Sequence, residues 1–124
     1  MSAELDGVYT FCLRWTGDED QARRLAVRAC AVCGGLAAYG EAARICQEAG
    51  RPVHGRDQRL PHDEEARLHV ALGAVGDDEL AVLLLRDVVG LDTDQVAAAL
   101  DLARSSVTAR LQRGRLAFAQ RLSG

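Results

Sequence analysis

A chain of 124 residues allows one compact domain, or two very small helical ones joined by a linker. Leu and Ala are abundant while Phe, Tyr and Trp together supply five residues, a composition that favours packed helices over sheets. The net charge of −3 argues against a uniformly basic nucleic-acid binder, but residues 1–101 hold ten arginines against eighteen acids, whereas residues 102–124 hold five arginines and no acid. A basic end on an acidic body is the footprint of one element touching a polyanion. The N-terminus is polar and no apolar run approaches the roughly twenty residues of a membrane span, so the expectation is a cytoplasmic protein without a membrane partner. Cys12, Cys30, Cys33 and Cys46 are then expected to be reduced.

In chain order, Leu5, Val8, Tyr9, Phe11, Cys12 and Trp15 recur at helical spacing and predict an amphipathic helix over 3–15. Thr16-Gly17-Asp18 breaks it, and Asp18 can cap a second helix over about 19–33. There Ala22, Leu25, Ala26, Ala29, Cys30 and Cys33 form one apolar stripe. Gly34-Gly35 interrupts before a third helix over about 36–48, which offers Leu36, Ala37, Ala43 and Ile45 to a core. Residues 50–62 contain both prolines, two glycines and little apolar content, which is linker chemistry and marks a boundary between segments 1–49 and 63–124.

From Asp63 the pattern tightens. Asp63 caps a helix that turns Ala66, Val70, Ala71 and Val75 inward, and Gly76-Asp77 begins another in which Leu80, Leu83, Leu84 and Val88 form the core face. Gly90 should close it in the left-handed conformation. Asp92 or Thr93 then caps a short helix with Val96, Ala97 and Leu100 inward, and Asp101-Leu102 makes a turn. In the last helix Val107, Leu111, Gly114 and Phe118 lie on one side, which leaves Ser106, Arg110 and Arg113 on the opposite, exposed side. A short capped helix, a tight turn and a longer arginine-edged helix are the layout of a helix-turn-helix, whose second helix enters the major groove of DNA. The expected fold class is therefore all-α, with a four-helix C-terminal domain carrying a helix-turn-helix and a small helical segment before it.

Other constellations weigh less. Cys30-Ala31-Val32-Cys33, with Cys46, His54 and His62 nearby, invites a zinc site, but one Cys-x-x-Cys pair on an apolar helix face reads more simply as small core residues. Asp18-Glu19-Asp20 and Asp77-Asp78-Glu79 sit at helix starts, where carboxylates cap and complement the dipole rather than catalyse. His69 reads as a surface or boundary residue. No Ser/His/Asp set, glycine-rich phosphate loop or metal-ligand spacing argues for an enzyme, and no cofactor is expected.

The run Leu83-Leu84-Leu85-Arg86-Asp87-Val88-Val89-Gly90-Leu91, then Gln95-Val96-Ala97, Val107 and Arg110-Leu111-Gln112-Arg113-Gly114-Arg115, resembles region 4 of bacterial RNA polymerase sigma factors, nearest the extracytoplasmic-function type. The likeness runs without a gap over about 64–122. Tyr9-Thr10-Phe11 and Leu13 leading into Thr16-Gly17-Asp18, with Ala22 and Leu25, is similar over a shorter stretch to the start of region 2. The resemblance implies binding of an upstream (−35-type) promoter element by the last helix, with Arg104, Ser105, Ser106, Thr108, Arg110 and Arg113 facing DNA. It also implies docking on core RNA polymerase, and it admits an anti-sigma-like regulator as a further partner. An arginine fits both guanine acceptors, and hydroxyls beside the free N–H groups of a helix start suit phosphate. The chain departs from the family in having Asp101 where a turn glycine is usual and Ala103 where a polar cap is usual. The helix by which region 2 grips polymerase reads Gln21-Ala22-Arg23-Arg24 with Arg28 beyond, largely reversed in charge, and the promoter-melting segment has no counterpart. Two alternatives thus stand beside a sigma-like factor: a stand-alone helix-turn-helix regulator that does not initiate, and a protein-interaction adaptor or decoy of the sigma system.

Overall fold

The computed structural model describes residues 3–51 and 62–123, which hold seven α-helices and no strand. None of these helices is long and apolar enough to cross a membrane. Helix α1 (Ala3–Thr16) buries Val8, Phe11, Cys12 and Trp15, spaced three and four residues apart so that they fall on one face. Phe11 and Trp15 stack with ring centroids 5.8 Å apart. Helix α2 (Glu19–Val32) starts at Asp18, whose carboxylate accepts from the N–H groups of Asp20 and Gln21. It packs on α1 through Ala22, Leu25, Ala26 and Ala29, mostly small side chains that bring the two backbones close.

Helix α3 (Leu36–Ala49) buries Ala38, Tyr39, Ala42, Ala43, Ile45 and Cys46. The inward face is thus turned from the expected one: Leu36 is half-buried and Ala37 exposed, because α3 must meet two partners, α1 with α2 on one flank and α6 on the other. Cys12 and Cys46 are buried with their sulfurs 3.7 Å apart. Cys30 and Cys33 are half-buried at the end of α2, packed against the edge of the core rather than inside it.

Helix α4 (Glu64–Leu72) is capped by the Asp63 carboxylate, which accepts from Ala66 N–H at 3.0 Å. It ends four residues before Gly76, so Val75 is buried from a turn, not from a helix, and Ala66 is half-buried. Helix α5 (Asp77–Leu83) runs straight into a π-helical segment, Leu84–Val89. There the Gly90 N–H reaches back five residues to the Leu85 carbonyl, and Gly90 adopts φ 95°, ψ 20° as the left-handed cap that the sequence predicts. The wider turn advances the inward face by about one residue. Leu84 and Leu85 are buried and Val89 packs on the core, while Val88, expected inside, is 42% exposed.

One continuous core joins the helices on both sides of residues 50–62, from Phe11, Trp15 and Tyr39 to Leu80, Leu84, Val96, Val107 and Leu111. Two contacts tie the halves. Gly40 of α3 lies so near α6 that a Cβ there would come within 2.2 Å of the Ala99 carbonyl oxygen. Arg51, placed by its composition in a linker, reaches the α4–α5 turn: it donates to the Leu72 carbonyl (3.1 Å) and the Val75 carbonyl (2.6 Å) and pairs with Asp77 (2.7 Å). Its guanidinium also lies 5.2 Å from the centre of the Trp15 ring, a cation–π distance.

Candidate nucleic-acid interface

The helix-turn-helix is built from its caps outward. At the start of α6 (Thr93–Leu100), the Asp92 carboxylate accepts from Gln95 N–H at 2.8 Å while the Gln95 amide oxygen accepts from Asp92 N–H at 2.9 Å. This reciprocal box satisfies two otherwise orphaned donors and fixes where the helix begins. Val96 and Ala99 are the buried pair on α6, with Ala97 and Leu100 half-buried against the core edge, a small rotation from the expected Val96, Ala97 and Leu100 face. At the far end Asp101 adopts φ 54°, ψ 52° in the left-handed region, and its N–H and that of Leu102 both reach the Ala97 carbonyl. An aspartate therefore makes the turn for which glycine is the usual residue.

Helix α7 (Arg104–Ser123) follows after three residues. Its first hydrogen bonds run from Ser106 and Val107 N–H to the Ala103 carbonyl, and the Ala103 side chain has no acceptor to offer the preceding donors. The start of the helix therefore keeps partial positive charge suited to an anion. Val107, Leu111 and Gly114 are buried, and Phe118 is half-buried against the same core. Arg104, Ser105, Thr108 and Arg113 are exposed, while Ser106 and Arg110 are half-buried on the flank. The pole farthest from the core is instead marked by Ser105, Ala109, Gln112 and Leu116. Gln112 is exposed and Leu116 is 59% exposed. Gln112 was not among the residues expected at DNA, although the helical period points to it: a residue five places after Val107 and two before Gly114 falls near the outer pole.

The arginines of α7 are not equivalent. Arg104 meets Asp94 of α6 at 3.3 Å with both side chains largely in solvent. Arg113 donates through Nε to Glu79 of α5 at 3.2 Å. Arg115 is held in a fork by Asp87, Nε at 2.9 Å and one terminal nitrogen at 2.6 Å, and this pairing raises its pKa above the ordinary arginine value. Arg110 makes no hydrogen bond or ion pair among the described residues. The acids of α5, read from sequence as dipole and capping residues, thus have long-range partners, Asp77 with Arg51 and Glu79 with Arg113. That pairing could not be found from local spacing, since 34 positions separate Glu79 from Arg113.

Among the described residues no group of three or more His, Cys, Asp and Glu side chains is placed to hold a metal ion. Cys46, which a zinc reading would add to Cys30 and Cys33, faces Cys12 instead; His62 is exposed and His54 lies outside the described residues. No curated protein matches the chain. Residues 65–118 match the family model described as Sigma-70, region 4, so the C-terminal half of the chain is similar to the DNA-binding helix-turn-helix module of sigma factors.

Proposed function

We propose that the chain is a sigma-like transcription protein that binds a −35-type promoter element through α7 and associates with core RNA polymerase in the cytoplasm, acting by binding rather than by catalysis. One observation carries this reading: α7 leaves the left-handed turn at Asp101 with no acid along its length and with Arg104, Ser105, Thr108, Gln112 and Arg113 exposed to solvent. Hydroxyls and N–H groups at the start of such a helix suit phosphate, while Arg113 can address guanine and Gln112 adenine along the groove floor. Ser106 and Arg110, on the flank, suit the rim of the groove and its backbone. Five arginines do not hold DNA tightly at physiological salt, since each phosphate contact weakens as salt rises. Tethering by polymerase would raise the effective concentration of the reader at its site.

A second reading is favoured by the shared core. Helices α1–α3 are built into the same hydrophobic cluster as α5–α7, and α2 turns Arg23, Arg24 and Arg28 to solvent where the family resemblance calls for acids. A stand-alone regulator, with α1–α3 bracing the helix-turn-helix, accounts for both features. Co-purification with core polymerase followed by transcription in vitro separates these readings. Promoter-specific transcripts support the sigma-like factor; DNA shifts without transcripts support the stand-alone regulator. Binding to polymerase or to a sigma factor without DNA affinity would instead mark an adaptor.

A further inference from the structure

Arg113 and Arg115 are two residues apart on α7 and both meet a carboxylate, but through different edges of the guanidinium. Asp87 occupies Nε and one terminal nitrogen of Arg115, which consumes the fork that a base would need. Glu79 takes Nε of Arg113 alone, and the two terminal nitrogens of Arg113 make no hydrogen bond among the described residues. Those two nitrogens are the pair that reaches guanine O6 and N7 together. We propose that Glu79, which lies outside the helix-turn-helix, is a positioning residue that aims Arg113 at a guanine and so sets sequence preference at one base pair. This rests on the reading of α7 as the DNA-contacting helix.

The packing around Glu79 suits that role. A Cβ on Gly114 of α7 would come within 3.3 Å of Glu79 Cβ and of its carbonyl oxygen, so α7 lies directly against the backbone that carries the carboxylate. On its other side the second carboxylate oxygen comes within 2.7 Å of where a Cβ on Gly76 would be. The Glu79 side chain is 25% exposed and that of Arg113 60%, so the acid is the fixed partner and the arginine the one that projects. Holding Arg113 in one rotamer before DNA arrives removes part of the ordering cost of a long, flexible side chain. The carboxylate also places a negative charge near the phosphates, which weakens sequence-independent binding slightly. Glu79 therefore exchanges general affinity for discrimination.

The test uses the full chain and duplexes selected from a randomised pool, with Glu79→Ala, Glu79→Gln, Arg113→Ala and the Glu79→Ala/Arg113→Ala double variant, each verified as folded by circular dichroism. The expected result is that Glu79→Ala loses about tenfold in discrimination at a single G·C pair and keeps the preferences at the other positions. Binding to non-selected duplex is unchanged or tighter. Arg113→Ala loses preference at the same pair and the double variant loses no more, while Glu79→Gln, which still offers an acceptor to Nε, falls between. Full preference retained in Glu79→Ala, or additive losses in the double variant, would overturn the positioning role alone. A wild-type protein with no sequence preference would overturn the DNA reading on which it rests.

Discussion

Cys12 and Cys46 share a hydrogen bond between buried sulfurs 3.7 Å apart. That bond, then burial, and then the neighbouring Cys46 charge push the Cys12 thiol far above the ordinary cysteine range. Burial, with lesser contributions from Glu4 and Cys30, raises the Tyr39 phenol as well. In both cases the folded chain holds the neutral form more strongly than the unfolded chain does. Their contribution to stability is therefore complete below the unfolded pKa, about 8.5 for cysteine, and is lost as pH rises above it. Urea denaturation under reducing conditions should show a midpoint that falls between pH 8 and 10 by roughly the linkage slope of one proton. Cys12→Ala should cost about 1 kcal/mol at pH 7 and make that fall shallower, leaving the part due to Cys30, whose thiol burial also raises, and a further loss above about pH 10 from Tyr39. An equally steep fall in Cys12→Ala would refute the assignment. The Cys12–Cys46 pairing was not legible in the sequence, where Cys46 reads as a small core residue with no partner named for it. The contact depends on α1 and α3 crossing at that level, and no local pattern records a crossing.

At the scale of elements, capping chemistry was the most legible feature. Asp18, Asp63 and Gly90 stand where short-range hydrogen-bonding rules place them, and of the two candidates at the start of α6 it is Asp92, not Thr93, that caps, with Gln95 completing the box. The turn at Asp101-Leu102 was legible from where α6 stops and α7 must begin; its left-handed backbone at Asp101 is what the structure adds. Asp101 at φ 54° carries part of the strain of a side chain in that region. Asp101→Ala should therefore lower unfolding free energy by about 1 kcal/mol, while Asp101→Gly should match or exceed the wild type in urea denaturation. Equal destabilisation by both would mean that the aspartate side chain, not backbone freedom, holds the turn. The π-helical segment leaves no mark in the apolar pattern, which fits a 3.6-residue period equally well, and one widened turn is enough to carry Val88 out and Val89 in. In α7 the buried side keeps that period at Val107, Leu111 and Gly114, but the outer pole falls to Ser105, Gln112 and Leu116 rather than to Ser106 and Arg110, which lie half-buried on the flank.

At the scale of the whole molecule, composition predicted a linker over 50–62, and Arg51 at its edge turns out to be an anchor. Four partners converge on one guanidinium, from Trp15 of α1 to Leu72, Val75 and Asp77 around the α4–α5 turn, with His69 lining the same small cleft. Two of the four are backbone carbonyls, which carry no residue-type signal, and the Trp15 ring and Asp77 lie far from Arg51 in sequence, so the strap could not be read from local pattern. Arg51→Ala should cost about 2 kcal/mol, and Arg51→Lys should recover little, because an ammonium does not span two carbonyls, a carboxylate and a ring face together. Thermal unfolding of the wild type should be a single cooperative transition, as one shared core requires; two separated transitions would show that α1–α3 and α4–α7 unfold independently. The braced platform matters for function because it fixes α6, against which α3 packs at Gly40, and hence the angle at which α7 is offered. Whether that offered face reads DNA is tested most directly by fluorescence anisotropy on a duplex selected by the wild-type chain, comparing it with the folded Arg110→Ala/Arg113→Ala variant at one fixed salt concentration. Binding weakened about tenfold or more in the variant is the expected result; equal affinity would remove α7 as the recognition helix.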